Sequence, residues 1–139
     1  MTFTEETLKI QEIEALAREH YNEVGSIDAP FNPNWDIFKQ LDEAGLLRSF
    51  IARVDGLVVG YNYFMLTPDM WHKDMVNASE IAIFMHPDHR GRGVEFIKFV
   101  DSQLKCSIIY RSVKVLHDYG LVLARQGYHL VDKVYMKRK

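Results

Sequence analysis

The sequence predicts a single mixed α/β domain in which helices cover one sheet. Segments with helical spacing of apolar residues alternate with β-rich segments, in the order helix, helix, hairpin, strand, helix, strand, helix, strand. The 139 residues are enough for one core and too few for two, and 47% hydrophobic with 26% charged residues is typical of a globular protein. No repeat, low-complexity tract or linker interrupts this order, so we expect one domain over residues 1–139.

Two helices are predicted in the N-terminal third. Apolar residues recur at helical spacing among charged ones over residues 5–24, and Thr2 with Glu5 has the spacing of a capping box. Residues 25–34 contain two prolines and a glycine, which disfavour helix, so we expect a connection there. A second helix follows over residues 35–44 and ends before a glycine.

A β-hairpin is the clearest local signal. Asp55 and Gly56 separate two β-rich runs, residues 49–54 and 57–64, and an Asp-Gly pair in that setting is typical of a tight two-residue turn. A polar loop then leads to a third predicted strand at residues 79–85.

The C-terminal part is predicted to alternate between helix and strand. We expect a helix over residues 93–105, a strand over 106–110, a helix over 115–126 and a last strand over 128–136. A glycine directly after the second of these helices is a common helix end.

The junction between the third strand and its helix carries the best candidate for a binding site. A strand, a glycine-rich turn and a helix N-terminus present unpaired N–H groups and the positive end of the helix dipole, which suits a phosphate. Gly91 and Gly93 let a ligand approach the backbone, and Arg90 and Arg92 add cationic donors. The alternative is a flexible turn before a helix. No Gly-Lys-Ser/Thr follows, which excludes a Walker loop, and the glycine spacing excludes the Rossmann fingerprint.

Bulk composition excludes several classes of protein. A net charge of −2 argues against a protein that binds nucleic acid through a positive field. The acidic start has no apolar core of a signal peptide, and no run approaches the length of a membrane span. The single Cys106 cannot form an intramolecular disulfide, which fits a reducing compartment. We therefore expect a cytoplasmic protein.

Residues 85–94, Met-His-Pro-Asp-His-Arg-Gly-Arg-Gly-Val, resemble the main motif of the Gcn5-related N-acetyltransferase (GNAT) superfamily. Residues 121–128, which end in Gly-Tyr, are similar to its second signature. The resemblance covers residues 46–139, and the compact form is similar to acetyltransferases encoded by bacteriophages.

The resemblance implies a GNAT-type fold, with a mostly antiparallel mixed sheet flanked by helices on both faces, and an acetyl-CoA-dependent N-acetyltransferase acting on an amine. It places acetyl-CoA in a cleft between the strand that ends at Met85 and the strand over residues 106–110. The residues that it assigns to the coenzyme are Phe84, Met85, Arg90, Gly91, Arg92, Gly93, Val94, Glu95 and Arg125.

Three positions depart from the family pattern. Glu95 stands where the family has Gly or Ala, Leu123 stands where many members have a tyrosine acid, and the first family strand is reduced to a few residues before Glu5. A GNAT-fold CoA-binding or regulatory protein without turnover is therefore the alternative function.

Glu80 and Tyr119 are the candidate acid–base residues. Strand alternation predicts that Glu80 shares a face with Ala82, Phe84 and His86, where it would act as a base through water. Tyr119 lies one helical turn before Leu123, and Tyr110 ends the strand beside the proposed cleft, so either could replace the missing acid. The alternatives are a solvated glutamate at a strand end and a tyrosine that only packs.

The remaining candidates stay open. His86 and His89 have no evident third ligand, so we expect no metal site. The loop with Asp69, Trp71, His72 and Asp74 would border the acceptor entrance. The sequence leaves the acceptor amine open, and it leaves the oligomeric state open, a homodimer included. The chain lacks the basic and aromatic pattern that a nucleic-acid-binding module would need.

Overall fold

A computed structural model describes residues 1–25 and 27–139. Five strands form one sheet in the order β1-β2-β3-β4-β5, antiparallel except for the last pair, which is parallel. The strands are β1 Thr2–Glu5, β2 Leu47–Val54, β3 Leu57–Pro68, β4 Val76–Met85 and β5 Ile108–Tyr110. The helices are α1 Ile10–Val24, α2 Trp35–Glu43, α3 Gly93–Gln103 and α4 Gly120–Arg125, with 3₁₀ turns at Pro87–Arg92 and Val115–His117.

Helices cover both faces of the sheet, as predicted. On one face α3 presents Phe96 and Val100, four residues apart, to Phe50 and Phe64 of the sheet, and all four side chains are fully buried. On the other face Ile13 and Leu16 of α1 pack on a cluster that includes Ile51, Tyr61, Tyr63 and Phe84, with α2 at its margin. The two helical layers therefore bury opposite faces of the same strands.

The predicted hairpin is confirmed. Val54 pairs with Leu57, and both turn residues have positive φ, 49° at Asp55 and 81° at Gly56. This conformation matches the right-handed twist of the strands, which explains why the Asp-Gly pair is a reliable signal.

The predicted start of the first helix is wrong. Residues 2–5 form strand β1, in which Thr2 pairs with Arg53, and α1 begins only at Ile10 without a side-chain cap. Thr2 therefore forms no capping box with Glu5. Strand β1 forms because its backbone pairs with the edge of β2. Beside this strand, the Glu6 carboxylate accepts hydrogen bonds from Arg53 Nε at 3.0 Å and from Arg53 Nη2 at 2.8 Å.

The predicted C-terminal helix and strand are also wrong in extent. Residues 115–126 contain a 3₁₀ turn and the six-residue α4, and residues 128–136 have no strand. Side chains of residues 129–136 are exposed, with Val134 at 94% and Tyr135 at 88%. An apolar pattern produces a strand only where a sheet edge pairs with it, and residues 128–136 have no such pairing.

A β-bulge in β4 changes which face Glu80 occupies. Tyr63 pairs with Ala82 while the next residue, Phe64, pairs with Glu80, so Ile81 is an extra residue. Glu80 thus shares the α3 face with Phe64, whereas Ala82 and Phe84 lie on the α1 face. The predicted common face for Glu80, Ala82 and Phe84 is wrong, because alternation fails across a bulge.

None of the helices in the described ranges combines the length and the apolar character needed to cross a membrane.

Replacing Gly56 by alanine tests the turn. An added Cβ meets no atom within 4 Å, but φ is +81°, so the variant should lose about 1 kcal/mol of unfolding free energy through backbone strain alone. Gly91→Ala is the matched control, since it has the same open space without positive φ. Urea denaturation measures both, and an equal loss in the two variants would contradict this account.

Candidate active site

Strands β4 and β5 separate after a short parallel pairing. Only Asn77, Ala78 and Ser79 of β4 pair with β5, and the last of these pairs with Tyr110. β4 continues to Met85 while β3 pairs along its other side. Among the described residues, no strand therefore pairs with the β5 side of residues 80–85, which forms an open edge.

This open edge leads directly into the glycine-rich turn. The His86 N–H donates to the Val59 carbonyl at 2.8 Å, and the 3₁₀ turn Pro87–Arg92 then enters α3. Among the described residues, no side chain caps the N-terminus of α3, and the Gly93 N–H donates to the Arg90 carbonyl of the turn. The positive end of the α3 dipole points toward the turn and favours an anion there.

The turn glycines leave room for a ligand. A Cβ built on Gly91 or Gly93 meets no other atom within 4 Å, and Gly93 has an ordinary helical φ of −60°. Neither packing nor backbone conformation within this chain requires glycine at these two positions. The residues therefore fit a bound phosphate, because the space that a side chain would fill lies at the positive end of the α3 dipole.

Arg90 contacts protein groups. Its Nε donates to the Met85 carbonyl at 3.0 Å and its Nη2 donates to the Glu23 carboxylate at 2.6 Å. The guanidinium also lies 5.4 Å from the centre of the Phe84 ring. Arg90 therefore joins the end of β4 to α1.

Arg92 and Glu95 form an ion pair at the mouth of the turn. Arg92 Nη2 lies 2.5 Å from Glu95 Oε2, and both side chains are about half exposed. The carboxylate that departs from the family pattern is thus partly neutralised by its neighbour. A phosphate at the helix N-terminus would compete with Glu95 for Arg92.

The buried polar cluster on the α3 face contains Glu80. Its Oε2 accepts from Arg111 Nη1 at 2.5 Å and from Asn62 Nδ2 at 2.9 Å, and its Oε1 accepts from the Ser112 N–H at 3.3 Å. The side chains of Glu80 and Arg111 are 2% and 0% exposed. Burial raises the pKa of Glu80, while the Arg111 charge and these donors oppose that shift.

Tyr119 belongs to the same cluster. Burial raises the pKa of its hydroxyl, and the charge of Glu80 and a hydrogen bond with it raise the pKa further. The structure thus brings together the two residues that the sequence singled out for proton chemistry.

The sequence did not indicate the partners that hold this cluster. Arg111 Nη2 donates to Asp101 at 2.8 Å and its Nε donates to the Tyr128 hydroxyl at 3.0 Å, while Tyr128 donates to Asp101 at 2.9 Å. Asp101 belongs to α3 and Tyr128 follows α4. Tyr128 ends the second family signature, but no motif marks Arg111 or Asp101, and only the fold brings the three residues together.

An apolar pocket of about 300 Å³ lies on the opposite face, against α1. His20 lines it, with Nδ1 at 2.7 Å from the Tyr61 hydroxyl and its ring stacked on Phe84 at 4.7 Å between centroids. Burial lowers the pKa of His20 to about 4, so the imidazole is neutral at pH 7. His20 was not a candidate from the sequence, because a lone histidine on a helix has no distinguishing pattern.

Comparison with solved structures identifies the fold. A ribosomal-protein-alanine N-acetyltransferase from Brucella melitensis biovar Abortus 2308 superposes with a TM-score of 0.71 at 20% identity, over 100% of both chains. A glucosamine-6-phosphate N-acetyltransferase from Arabidopsis thaliana gives 0.71 at 13% identity, over 100% of this chain and 99% of that one. A predicted acetyltransferase with acetyl-CoA from Clostridium acetobutylicum gives 0.66 at 14%, over 99% and 96%.

The chain has the GNAT acetyltransferase fold. No protein-family model and no curated protein matches its sequence. At these sequence identities the structural likeness establishes the fold, whereas the reaction depends on the residues of the site.

The other residues that were predicted to bind the coenzyme differ in how far their side chains are exposed. Phe84 and Met85 are 6% and 7% exposed, and their side chains enter opposite cores, so neither side chain reaches the open edge. Val94 is 39% exposed beside the turn, and Arg125 is exposed on α4. Leu123 is 6% exposed, so it packs where the resemblance would have a tyrosine acid.

The loop before β4 is held by Asp69. Its carboxylate accepts from the Trp71 N–H at 2.8 Å and from Asn77 Nδ2 at 2.8 Å, and it contacts His72 Nδ1 at 2.9 Å. These hydrogen bonds lower the pKa of Asp69 to about 2, and the bond from Asn77 has the largest effect. Trp71 itself is 91% exposed.

In the described part of the chain, no three His, Cys, Asp or Glu side chains are grouped as metal ligands would be. Cys106 is half-buried, and its Sγ lies 3.4 Å from the Ile108 carbonyl.

Arg111→Met should destabilise the protein by about 3–5 kcal/mol at pH 7, because it leaves the buried Glu80 charge without its cation. The pKa of Glu80 is raised on folding, so stability is greatest where the carboxyl is protonated and falls as pH rises. The loss should therefore be smaller at pH 5 than at pH 8 in urea denaturation. Arg92→Met, which removes an exposed arginine, is the control, and a comparable loss there would contradict the assignment.

Proposed function

We propose that this protein is an acetyl-CoA-dependent N-acetyltransferase that acetylates a primary amine. The observation that carries the proposal is the continuity of the open β4 edge with the N-terminus of α3, through a turn whose glycines leave space over the backbone. An extended arm that ends in a pyrophosphate matches this arrangement, because the edge offers main-chain hydrogen bonds and the helix offers a positive terminus. The GNAT-fold neighbour with acetyl-CoA supports this choice.

In this proposal the chain holds the coenzyme mainly through its backbone. The main-chain groups of Phe84 and Met85 bind the pantetheine arm, and the amides from Arg90 to Glu95 bind the pyrophosphate, with Gly91, Gly93 and Val94 between them. The Met85 carbonyl and the Gly93 N–H exchange their contacts with Arg90 for the coenzyme. Arg92 exchanges its contact with Glu95 for a phosphate oxygen. Arg125, exposed on α4, approaches the coenzyme from the C-terminal side.

Bound acetyl-CoA supplies an acetyl thioester, whose C–S bond breaks as the amine nitrogen forms the C–N bond, and the proton lost by the amine reaches the departing sulfur. We assign the proton steps to Glu80 and Tyr119. Glu80 accepts the amine proton through water, and its burial favours that step because the neutral acid is preferred there. Tyr119 donates its hydroxyl proton and recovers one from Glu80 through their contact. After the transfer, Glu80 and Tyr119 have returned to the protonation states in which they began.

The protein is proposed to work in the cytoplasm, where a reducing environment keeps the single Cys106 as a thiol.

The affinity for CoA should rank Glu95→Ala above the native chain and the native chain above Arg92→Ala. Removing Glu95 frees Arg92 for phosphate, and removing Arg92 leaves the Glu95 charge alone near the site. Each step should be about two- to fivefold, which corresponds to ~0.5–1 kcal/mol for an exposed charge at a helix N-terminus. Titration calorimetry with CoA at low salt measures this order. Equal affinities in all three proteins would contradict the phosphate assignment.

A colorimetric thiol assay tests turnover with acetyl-CoA and a panel of primary amines. Tyr119→Phe should lower kcat by at least about tenfold, since it removes the general acid. Tyr110→Phe is the matched control, because Tyr110 ends β5 and is 37% exposed. An equal fall in both variants, or none in Tyr119→Phe, would contradict the role of Tyr119.

A CoA-binding protein without turnover is the second candidate, and the buried Leu123 favours it because no tyrosine acid can act from that position. Calorimetric binding of acetyl-CoA without thiol release from any amine would support this second candidate. Release above the rate of the enzyme-free mixture would exclude it.

A further inference from the structure

The apolar pocket against α1 has aromatic walls. The side chains that form them come from α1, the segment before α2, α2 itself and β3, and they include Ala17, Phe31, Phe38, Tyr61 and Tyr63. The rings of Tyr61 and Tyr63 stack at 5.0 Å, and Phe38 meets Tyr63 edge-on at 6.1 Å. Such walls favour a flat apolar group over a polar chain.

The pocket reaches the proposed reaction edge. Ile81 and Ala82 form its side toward β4, and these residues lie at the bulge and on the open edge where β5 has separated. A ligand in the pocket therefore lies beside the part of β4 to which the thioester arm was assigned.

The charge of the pocket excludes a polycation. Among the described residues that line it there is no aspartate or glutamate, and the one charged side chain is Lys114. An acceptor with several ammonium groups needs carboxylates to replace its hydration. A volume of about 300 Å³ is at the small end for ligand sites, which suits one or two rings.

His20 supplies a neutral polar group among these apolar walls. Its Nδ1 is engaged with Tyr61, and Phe84 lies against its ring, which leaves the Nε2 edge as the remaining polar part of the imidazole. In the tautomer with the proton on Nδ1, Nε2 is a hydrogen-bond acceptor for an amine N–H. The charges that act on His20 are Glu23, Lys114 and Arg90.

We propose that this pocket binds the aromatic side chain of a primary-amine acceptor, with the amine nitrogen donating to the His20 imidazole. The inference rests on the proposed function and narrows it, because it names the class of acceptor. The aromatic walls provide the apolar burial.

Tryptamine is the probe, and ethanolamine is its control, a primary amine of the same charge without a ring. Titration calorimetry is run on the protein alone and with saturating acetyl-CoA. We expect tryptamine to bind at least about tenfold more tightly than ethanolamine, from the burial of its indole. Equal affinities for the two amines would overturn the proposal.

Ala17→Phe fills the pocket, and Ala15→Phe makes the same change on the exposed side of α1. Tryptamine affinity should fall at least about tenfold in the first variant and stay unchanged in the second. An equal effect in both variants would overturn the proposal. Thermal melting of both variants verifies that each is folded.

Amide chemical shifts locate the probe on the native chain, independently of any variant. Tryptamine should shift the amide signals of His20, Tyr61 and Ala82 and leave that of Trp71 in place. Shifts confined to the loop of Trp71 would overturn the proposal.

The two proposals fail in different ways. Loss of the proposed function appears as no binding of acetyl-CoA, or no thiol release, while tryptamine still binds in the pocket. Failure of the present inference appears as acetyl-CoA binding with no preference for the aromatic amine.

Discussion

One buried guanidinium connects most of the parts on which the site depends. Arg111 follows β5 directly and bonds to Asn62 on β3, Glu80 on β4 and Asp101 on α3. Because its side chain is fully buried, each partner is needed to replace lost hydration. The contact holds the chain near β4 at the point where the pairing of the two strands ends. The open edge is therefore bounded by a fixed ion pair.

The bulge at Ile81 divides the site between two faces of the sheet. On the α3 side it places Glu80 in the polar cluster, and on the α1 side it leaves Ala82 and Phe84 beside His20 and the aromatic pocket. Without the extra residue, the alternation of β4 would put Glu80 among apolar side chains of the α1 face. A single local irregularity thus allows a charged group and an apolar pocket to border the same strand edge.

Local chemistry explains which parts were predictable. The Asp55-Gly56 turn and the strand–turn–helix around Gly91 and Gly93 depend on residues adjacent in sequence, and both are present in the structure. The local pattern gave no strand before the first helix, and only the resemblance placed a short one before Glu5, because the stability of β1 comes from pairing with β2, about 50 residues away. The strand predicted over residues 128–136 was wrong because no strand of the sheet pairs with this segment, although its apolar pattern favours a strand. Glu80 and Tyr119 were named for separate reasons, and their contact depends on the packing of four elements.

The sequence by itself determined the fold class, the hairpin and the candidate phosphate turn, because each follows from the conformational preferences of a few consecutive residues. Only the tertiary structure decided the face of Glu80, the partners of Arg111 and Arg90, and the pocket around His20. Central contacts of these features, Arg111 with Glu80, Arg90 with Glu23 and His20 with Tyr61, join residues 31, 67 and 41 positions apart and exist only after the sheet has assembled. Non-local contacts of this kind leave no periodic pattern in the chain, since any residue that satisfies the same packing and charge would serve.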